Sequence, residues 1–444
     1  MGKRNKINRI LESMGWGKYQ IYVFWTCFVT LILQTSTRAS VAVIMMDSKE
    51  NHPDRNIGIL PSIMQLGNVI GCYGFGYFSN RFGRKWLFLY GDIITIIGIT
   101  LTIVDTEWML LKIGLFLVGV GTGSDMVLAN SIAFESFPPS KRCKLGIMNC
   151  ACSIGSITTF GIGLLTTQIS IFDIPSLGIV LSYSLIIALI LMIMRIYLME
   201  TPMYLCDHYE DKKLATVLFH IAQINGKSDC DNVMDTPMLE NSISSEEVTD
   251  KPPTLKELFN HHNKRATIFL SAIYIFSSIA TTSLTYFMPE LLPNISEHQI
   301  YIVILFQSCC SMPGMVISYE LMDTVFGRVY TIALGFLFTA ITLFPIMYSS
   351  GFWIILIMSG INNMMSNVGF ATLSAATPES FNTHIRCLST GWLMGTSKVA
   401  GIIAPIVIGY LINSTGPIGA LWLSLVGFVL ASASSLALKE TRPT

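Results

Sequence analysis

Long apolar runs separated by short polar breaks occupy most of the chain. WLFLYGDIITIIGITLTIV from Trp86 and IPSLGIVLSYSLIIALILMIM from Ile174 are two of them. Each approaches the ~20 residues needed to cross ~30 Å of hydrocarbon at a rise of ~1.5 Å per residue. The pattern predicts twelve such segments, near 20–46, 57–79, 86–104, 108–134, 145–168, 176–198, 266–289, 297–321, 329–348, 352–376, 387–412 and 417–438. Only helices and closed barrels satisfy their backbone groups in lipid, and runs this continuous lack the alternation of a barrel strand. The expected fold is an all-α membrane protein of twelve transmembrane helices.

Composition agrees: of 444 residues, 52% are hydrophobic and 13% charged, against roughly 25% charged in an average soluble domain. The distribution of Lys and Arg orients the bundle. With both termini cytoplasmic, Lys49 and Arg55 are the only basic residues in outer loops, and Arg38, Lys112 and Lys398 fall within spans. The remaining basic residues, including Arg195 at the inner end of span six, lie on the cytoplasmic side, as the positive-inside rule demands. The first eighteen residues are polar and lack the apolar core of a cleavable signal. All ten cysteines fall in spans or cytoplasmic segments and none forms a CxxC pair, so free thiols and no metal site are expected. No nucleotide loop or nucleophile triad appears, no cofactor is expected, and an enzyme is not the reading.

The longest polar stretch, 200–265, divides the spans six and six. Its middle is rich in Ser, Asp and Glu and reads as a mobile linker, while KKLATVLFHIAQING and TLKELFN at its ends carry helical spacing. The domains expected are a cytoplasmic segment 1–18, a six-helix bundle 19–199, the linker 200–265, a second bundle 266–438 and a tail 439–444.

The two bundles are copies. FESFPPSKR at 134–142 and PESFNTHIR at 378–386 lie 244 positions apart, and Gly83-Arg84 and Gly327-Arg328 share the same offset. Two motifs in one register mark an internal repeat, the building plan of many secondary transporters. Glu135 and Glu379 end spans four and ten at the depth of the basic loops. Glu135 with Arg81 or Arg84, and Glu379 with Arg328 or Arg386, are the ion pairs expected of an inner latch, with Arg142 beside the first. Such partly exposed pairs contribute only ~1 kcal/mol each. The alternative is that these cations merely snorkel to the headgroups.

The loop GYFSNRFGRK, with GVGTGSDMVLANSIAFESFPPSKR in span four, METPMYLCDHYEDKKLATVLFHIAQINGK after span six and SKVAGIIAPIVIGYL in span eleven, resembles the major facilitator superfamily over nearly the whole chain. Within it, the organic ion transporters and their synaptic-vesicle-protein-like relatives look most similar. Asn80 stands where the loop signature usually has aspartate, which would loosen a latch. The long glycosylated loop after span one is absent, since only 47–56 are available there; sequons at Asn294 and Asn413 lie close to the membrane. The resemblance implies alternating-access transport in the plasma membrane or a vesicle membrane, with function as a monomer and no nucleic-acid partner.

An ionisable residue within a span costs at least ~2.5 kcal/mol and is a functional candidate. Lys398 lies near the midplane, at a position the resemblance makes basic in anion carriers and acidic in cation carriers. It holds an anion or joins a structural ion pair. Arg38, in LQTSTRASVAV of span one, grips a carboxylate, phosphate or sulfate bidentately or reaches the outer headgroups. Asp125 matches an acidic position of niacin-type and phosphate-type relatives; it takes up a proton or neutralises Lys398 or Arg38. Lys112 reads as a snorkelling residue, near Leu115, where relatives carry arginine. Tyr286, Phe287, Asn362, Asn363, Asn367 and Trp392 complete the expected cavity, whose mixed apolar walls suit an amphiphilic ion. The function expected is transport of a small organic anion, with proton coupling one option. An organic cation or phosphate as the substrate, or a sensor or vesicle protein that binds without translocating, are the alternatives.

Overall fold

The computed structural model describes the chain apart from residues 1–2, 52–55, 57, 105–106, 142–147, 149, 169–175, 208–210, 227–254, 261–262, 288–296, 323–326, 350, 382–385 and 439–444. The side chains of a few helical residues, Arg81 and Arg386 among them, also lie outside the described residues. The polar middle of the linker, Asn294 and Arg142 therefore fall outside the description.

The first half consists of α1 (Lys3–Met14), α2 (Lys18–Asn51), α3 (Ile59–Phe82), α4 (Arg84–Val104), α5 (Trp108–Ser136), α6 (Cys150–Gln168) and α7 (Ser176–Ile196). Short helices α8 (Pro202–Asp207), α9 (Asp211–Ile224) and α10 (Leu255–Leu258) follow. The second half consists of α11 (Lys264–Tyr286), α12 (Glu297–Met322), α13 (Gly327–Tyr348), α14 (Phe352–Glu379), α15 (Arg386–Thr415) and α16 (Pro417–Leu436). Ten of these helices are long and apolar enough to cross a membrane, and 150–166 of α6 is a shorter apolar segment. The twelfth, α3, has 24 residues but carries Gln65 and Asn68 toward the interior, which lowers its apolar character. The fold is the expected bundle of twelve spans.

The repeat is visible in the packing. Helix α5 lies against both α3 and α4, and α14 lies against both α12 and α13. Gly119 and Gly123 let α5 approach α3 closely: a Cβ at Gly123 would sit 2.4 Å from the Asn68 carbonyl oxygen. The matched loop glycines have a backbone reason. Gly83 has φ 92° and Gly327 φ 67°, conformations that side-chain-bearing residues rarely adopt. Gly83 permits a reversal between two spans with almost no intervening loop.

Polar as it is, the N-terminal segment does not stay extended. It forms α1, whose Ile7, Leu11 and Met14 are buried against the bundle, an amphipathic stripe at three- and four-residue spacing. Asn225, just past α9, accepts a hydrogen bond from the Tyr19 amide (3.1 Å) and donates to Gln20 Oε1 (2.9 Å), tying the linking helices to the start of α2. The face bearing α1 and these helices is the near face; the opposite one is the far face. The halves meet mainly along α3–α15 and α6–α12, with a smaller contact between α2 and α11. At the far face these seams are tight. A Cβ at Gly58 would lie 2.3 Å from the Pro405 carbonyl oxygen, and one at Gly163 would lie 2.6 Å from the Tyr301 ring.

Candidate functional site

Between the halves is a cavity of about 400 Å³. Arg38 of α2 and Gln65 of α3 face it from one half; Asn363 of α14 and Lys398 of α15 face it from the other. No acidic side chain lines it among the described residues. Serine and threonine hydroxyls dominate the remaining wall, with Asn362, Asn367 and Gln307 adding amides and Phe160 and Phe370 supplying the aromatic surface. The lining thus mixes polar groups with apolar surface, to which Leu284, Ile304 and Met315 also contribute. Several of these hydroxyls bond the preceding turn of their own helix, as Thr35 does on the Leu31 carbonyl at 2.9 Å, which lets Ser and Thr sit within apolar spans.

The wall is held by its own hydrogen bonds. Asn367 Nδ2 donates to Asn363 Oδ1 (2.7 Å), and Asn363 Nδ2 donates to the Gln307 carbonyl (3.0 Å). Ser311 and Ser153, one from each half, are joined at 2.6 Å. Gln65 Nε2 donates to the Tyr286 hydroxyl (3.3 Å), leaving Gln65 Oε1 buried without a partner. Tyr286 itself is buried behind the wall, its ring 5.7 Å from the Arg38 guanidinium carbon, with Phe287 buried beside it in sequence. Arg38 Nε is buried and unpartnered. Two cations thus face one cavity with no counter-charge among the described residues.

Four expected cavity residues do not line it: Tyr286 and Phe287, buried behind the wall, and Trp392 and Asp125, which lie elsewhere. Trp392 packs edge-on against Phe259 at 5.7 Å, near the start of the second half, and is not part of the wall. Asp125 is also absent from the wall, and it neutralises neither Lys398 nor Arg38. Its Oδ1 accepts from Arg195 Nη1 at 2.9 Å, with both side chains at most 1% exposed. Arg195, expected to sit on the cytoplasmic side, is corrected in turn. From the last turn of α7 its chain runs back into the bundle, where Nη1 also donates to the Phe88 carbonyl (2.7 Å) and Nη2 to Thr30 Oγ1 (3.1 Å). A carboxylate in the core outcompetes the headgroups for it. Asp92 of α4, 3.8 Å from Arg195 Nη1, completes this cluster. Lys112 lies 5.9 Å from the Trp108 ring, away from the cavity, and Leu115 is buried in the core.

A sequence profile for the sugar (and other) transporter family matches residues 19–441. The chain belongs to that family, within the major facilitator superfamily. This transporter is 23% identical to organic cation/carnitine transporter 7 of Arabidopsis thaliana, over 91% of this chain and 88% of that one. It is 24% identical to solute carrier family 22 member 1 of Oryctolagus cuniculus, over 87% of this chain and 67% of that one. Its fold is similar to a partially occluded inward-open structure of the xylose transporter of E. coli, with a TM-score of 0.75, 14% identity and coverage of 94% and 96% of the two chains. The relatives are membrane transporters, not enzymes.

In this transporter the repeated motifs form one ion pair in each half. Arg84 Nη2 meets Glu135 Oε1 at 2.8 Å, and Arg328 holds Glu379 through two bonds of 3.0 and 3.3 Å. Each pair joins two helices of its own half. The first is reinforced beyond what the repeat suggests. Thr201 Oγ1 donates to Glu135 Oε2 (2.6 Å), and Glu200 accepts from the Arg84 and Lys85 amides (3.0 and 3.3 Å), capping the start of α4. Arg142 and the side chains of Arg81 and Arg386 lie outside the described residues. Sequence reasoning missed Gln65, Asp92 and Glu200. Asp92 had the same signal as Asp125, a lone carboxylate in an apolar run, and Gln65 had that of Asn363, an amide in an apolar run.

Proposed function

We propose that this transporter carries a small organic anion across the bilayer by alternating access. One observation carries the reading: Arg38 and Lys398, from opposite halves, face the same cavity, and no carboxylate among the described residues faces it with them. Two half-buried like charges are unfavourable until an occupant supplies the opposite sign. An anion bridging them joins the halves at the bottom of the far-face seam, which is what a carrier needs in order to occlude its substrate. The removal of Asp125 from the wall takes away the one acidic group that an organic cation would have used. Inorganic phosphate satisfies the charges but leaves much of a 400 Å³ space unfilled. Hydroxyls and amides around the cations favour a ligand bearing its own hydroxyl or carbonyl groups.

The near face is proposed to be cytosolic, the membrane the plasma membrane and the working unit the monomer, with Arg84–Glu135 and Arg328–Glu379 steadying the near-face ends of each half through the cycle. Proteoliposomes of the purified protein, offered radiolabelled hydroxy acids, dicarboxylates, phosphate and quaternary amines, test the reading. Saturable uptake of an organic anion is expected. Uptake of amines alone, or anion binding without uptake, would overturn it.

A further inference from the structure

The Asp92–Arg195–Asp125 cluster lies outside the cavity, and its charges do not balance. Asp92 and Arg195 are fully buried and Asp125 is 1% exposed. Two carboxylates share one guanidinium: its Nη atoms donate to Asp125 (2.9 Å), the Phe88 carbonyl and Thr30, its Nε is buried without a partner, and Nη1 stands 3.8 Å from Asp92, within ion-pair range but beyond hydrogen-bond reach. Both oxygens of Asp92 and Oδ2 of Asp125 are buried with no hydrogen-bond partner. Their chain neighbourhoods touch: a Cβ at Gly91 would be 3.7 Å from Asp125 Oδ1.

Among the described residues, the titratable groups facing the cluster are few. Helix α4 presents Asp92, α5 presents Asp125, α7 presents Arg195, and α2 presents Cys27, whose thiol points at the Ala129 carbonyl (3.4 Å). None supplies a second positive charge. A buried carboxylate with no donor in hydrogen-bond reach, and only a share of one cation at 3.8 Å, is costlier than the same group carrying a proton, which makes it neutral. The proton also gives it a donor, and the free Oδ2 of Asp125 is an acceptor of the right kind.

We propose that Asp92 and Asp125 share one exchangeable proton, making this cluster a proton site of the transporter separate from the organic-ion cavity. A proton from water forms an O–H bond on the Asp92 carboxylate, leaving Asp125 and Arg195 as a balanced pair. When the proton returns to water, both carboxylates compete for Arg195, and its bonds to Phe88 and Thr30 are the ones that yield. Those bonds hold α7 against α4 and α2. Thr30 is eight residues, ~12 Å along the same helix, from Arg38, so the proton's presence bears on the helix that presents a cavity cation.

The site is independent of the organic substrate, and its test needs none. Infrared difference spectra of the full-length protein in lipid nanodiscs, recorded in H₂O and D₂O over a pH series, report protonated carboxylic acids directly. The expected result is a deuterium-sensitive carbonyl band that falls as pH rises, is lost in Asp92→Asn, and is shifted in Asp125→Asn. Asp92→Glu, which keeps the acid, retains a displaced band and guards against a folding artefact. A band unaffected by all three substitutions would overturn the proposal by showing both carboxylates ionised. A band lost in Asp92→Asn but constant at every pH would overturn it too, by showing a permanently neutral structural acid.

Discussion

Arg38 and Lys398 face one cavity from helices α2 and α15, on opposite halves of a duplicated chain. Neither has an ion-pair partner among the described residues, although carboxylates in the same bundle are paired elsewhere. A structural lysine and a substrate-holding lysine differ in what their removal does to stability. Lys398→Met and Arg38→Met should each lower anion uptake by roughly 10- to 100-fold, the equivalent of the ~1.5–3 kcal/mol of a charged hydrogen bond. Thermal unfolding in detergent should be unchanged or slightly raised, since an unpaired, half-buried charge is removed. A large drop in unfolding temperature would show that the cations are structural.

Arg195 should behave in the opposite way. It is fully buried and bonded to three helices besides its own. Arg195→Met leaves Asp125 without its cation and should destabilise the protein by ~3–5 kcal/mol. Adding Asp92→Asn and Asp125→Asn to the same chain should recover most of the loss. Fluorescence-monitored unfolding of the single and triple variants measures both effects.

Gly83 and Gly327 occupy the same place in the repeat but should not tolerate alanine equally. At Gly83 the backbone has φ 92°, and a Cβ would meet Glu200 Oε2 at 2.4 Å, pushing away the carboxylate that caps α4. Gly327 has φ 67°, within the left-handed region that alanine enters with modest strain. Gly327→Ala should destabilise by ~1 kcal/mol and Gly83→Ala by more. Equal shifts in unfolding temperature would show that the Glu200 contact adds nothing.

The two motif ion pairs should differ similarly. Glu379 is 35% exposed at its side chain, so Glu379→Gln should change stability by less than ~1 kcal/mol. Glu135, at 14%, also accepts from Thr201. Glu135→Gln should therefore be the more damaging of the two in a thermal-shift comparison.

Gly58 reports on the far-face seam. Its contact with the Pro405 carbonyl leaves no room for a side chain. Gly58→Leu should hold that seam apart and expose Cys152, a wall residue of the cavity. In a background with the other cysteines replaced, impermeant thiol reagent applied to the far face should label Cys152 several-fold faster than in the glycine form. An unchanged rate would mean that the seam does not gate the cavity.

Helix number, the duplication and the reversal at Gly83 were legible in the sequence. They depend on local quantities: the length of apolar runs, the spacing of repeated motifs, and the backbone freedom of glycine at a tight turn. Arg38, Lys398 and Asn363 could be nominated because a polar side chain in an apolar run is conspicuous. Their convergence on one cavity could not be read.

What the sequence determined by itself, then, is the bundle and which residues are too polar for lipid. Tertiary structure alone decided where those residues point. Successive side chains rotate by ~100° around a helix, so neighbours such as Ser124 and Asp125 face different partners, and only the packing of α2, α4, α5 and α7 turns Asp125 toward Arg195 and away from the cavity. Arg195 shows the same limit from a helix end, where one long side chain can run out to the headgroups or back into the core. The choice rests on which partner is within reach after folding, and that partner, Asp125, is 70 positions away in the chain.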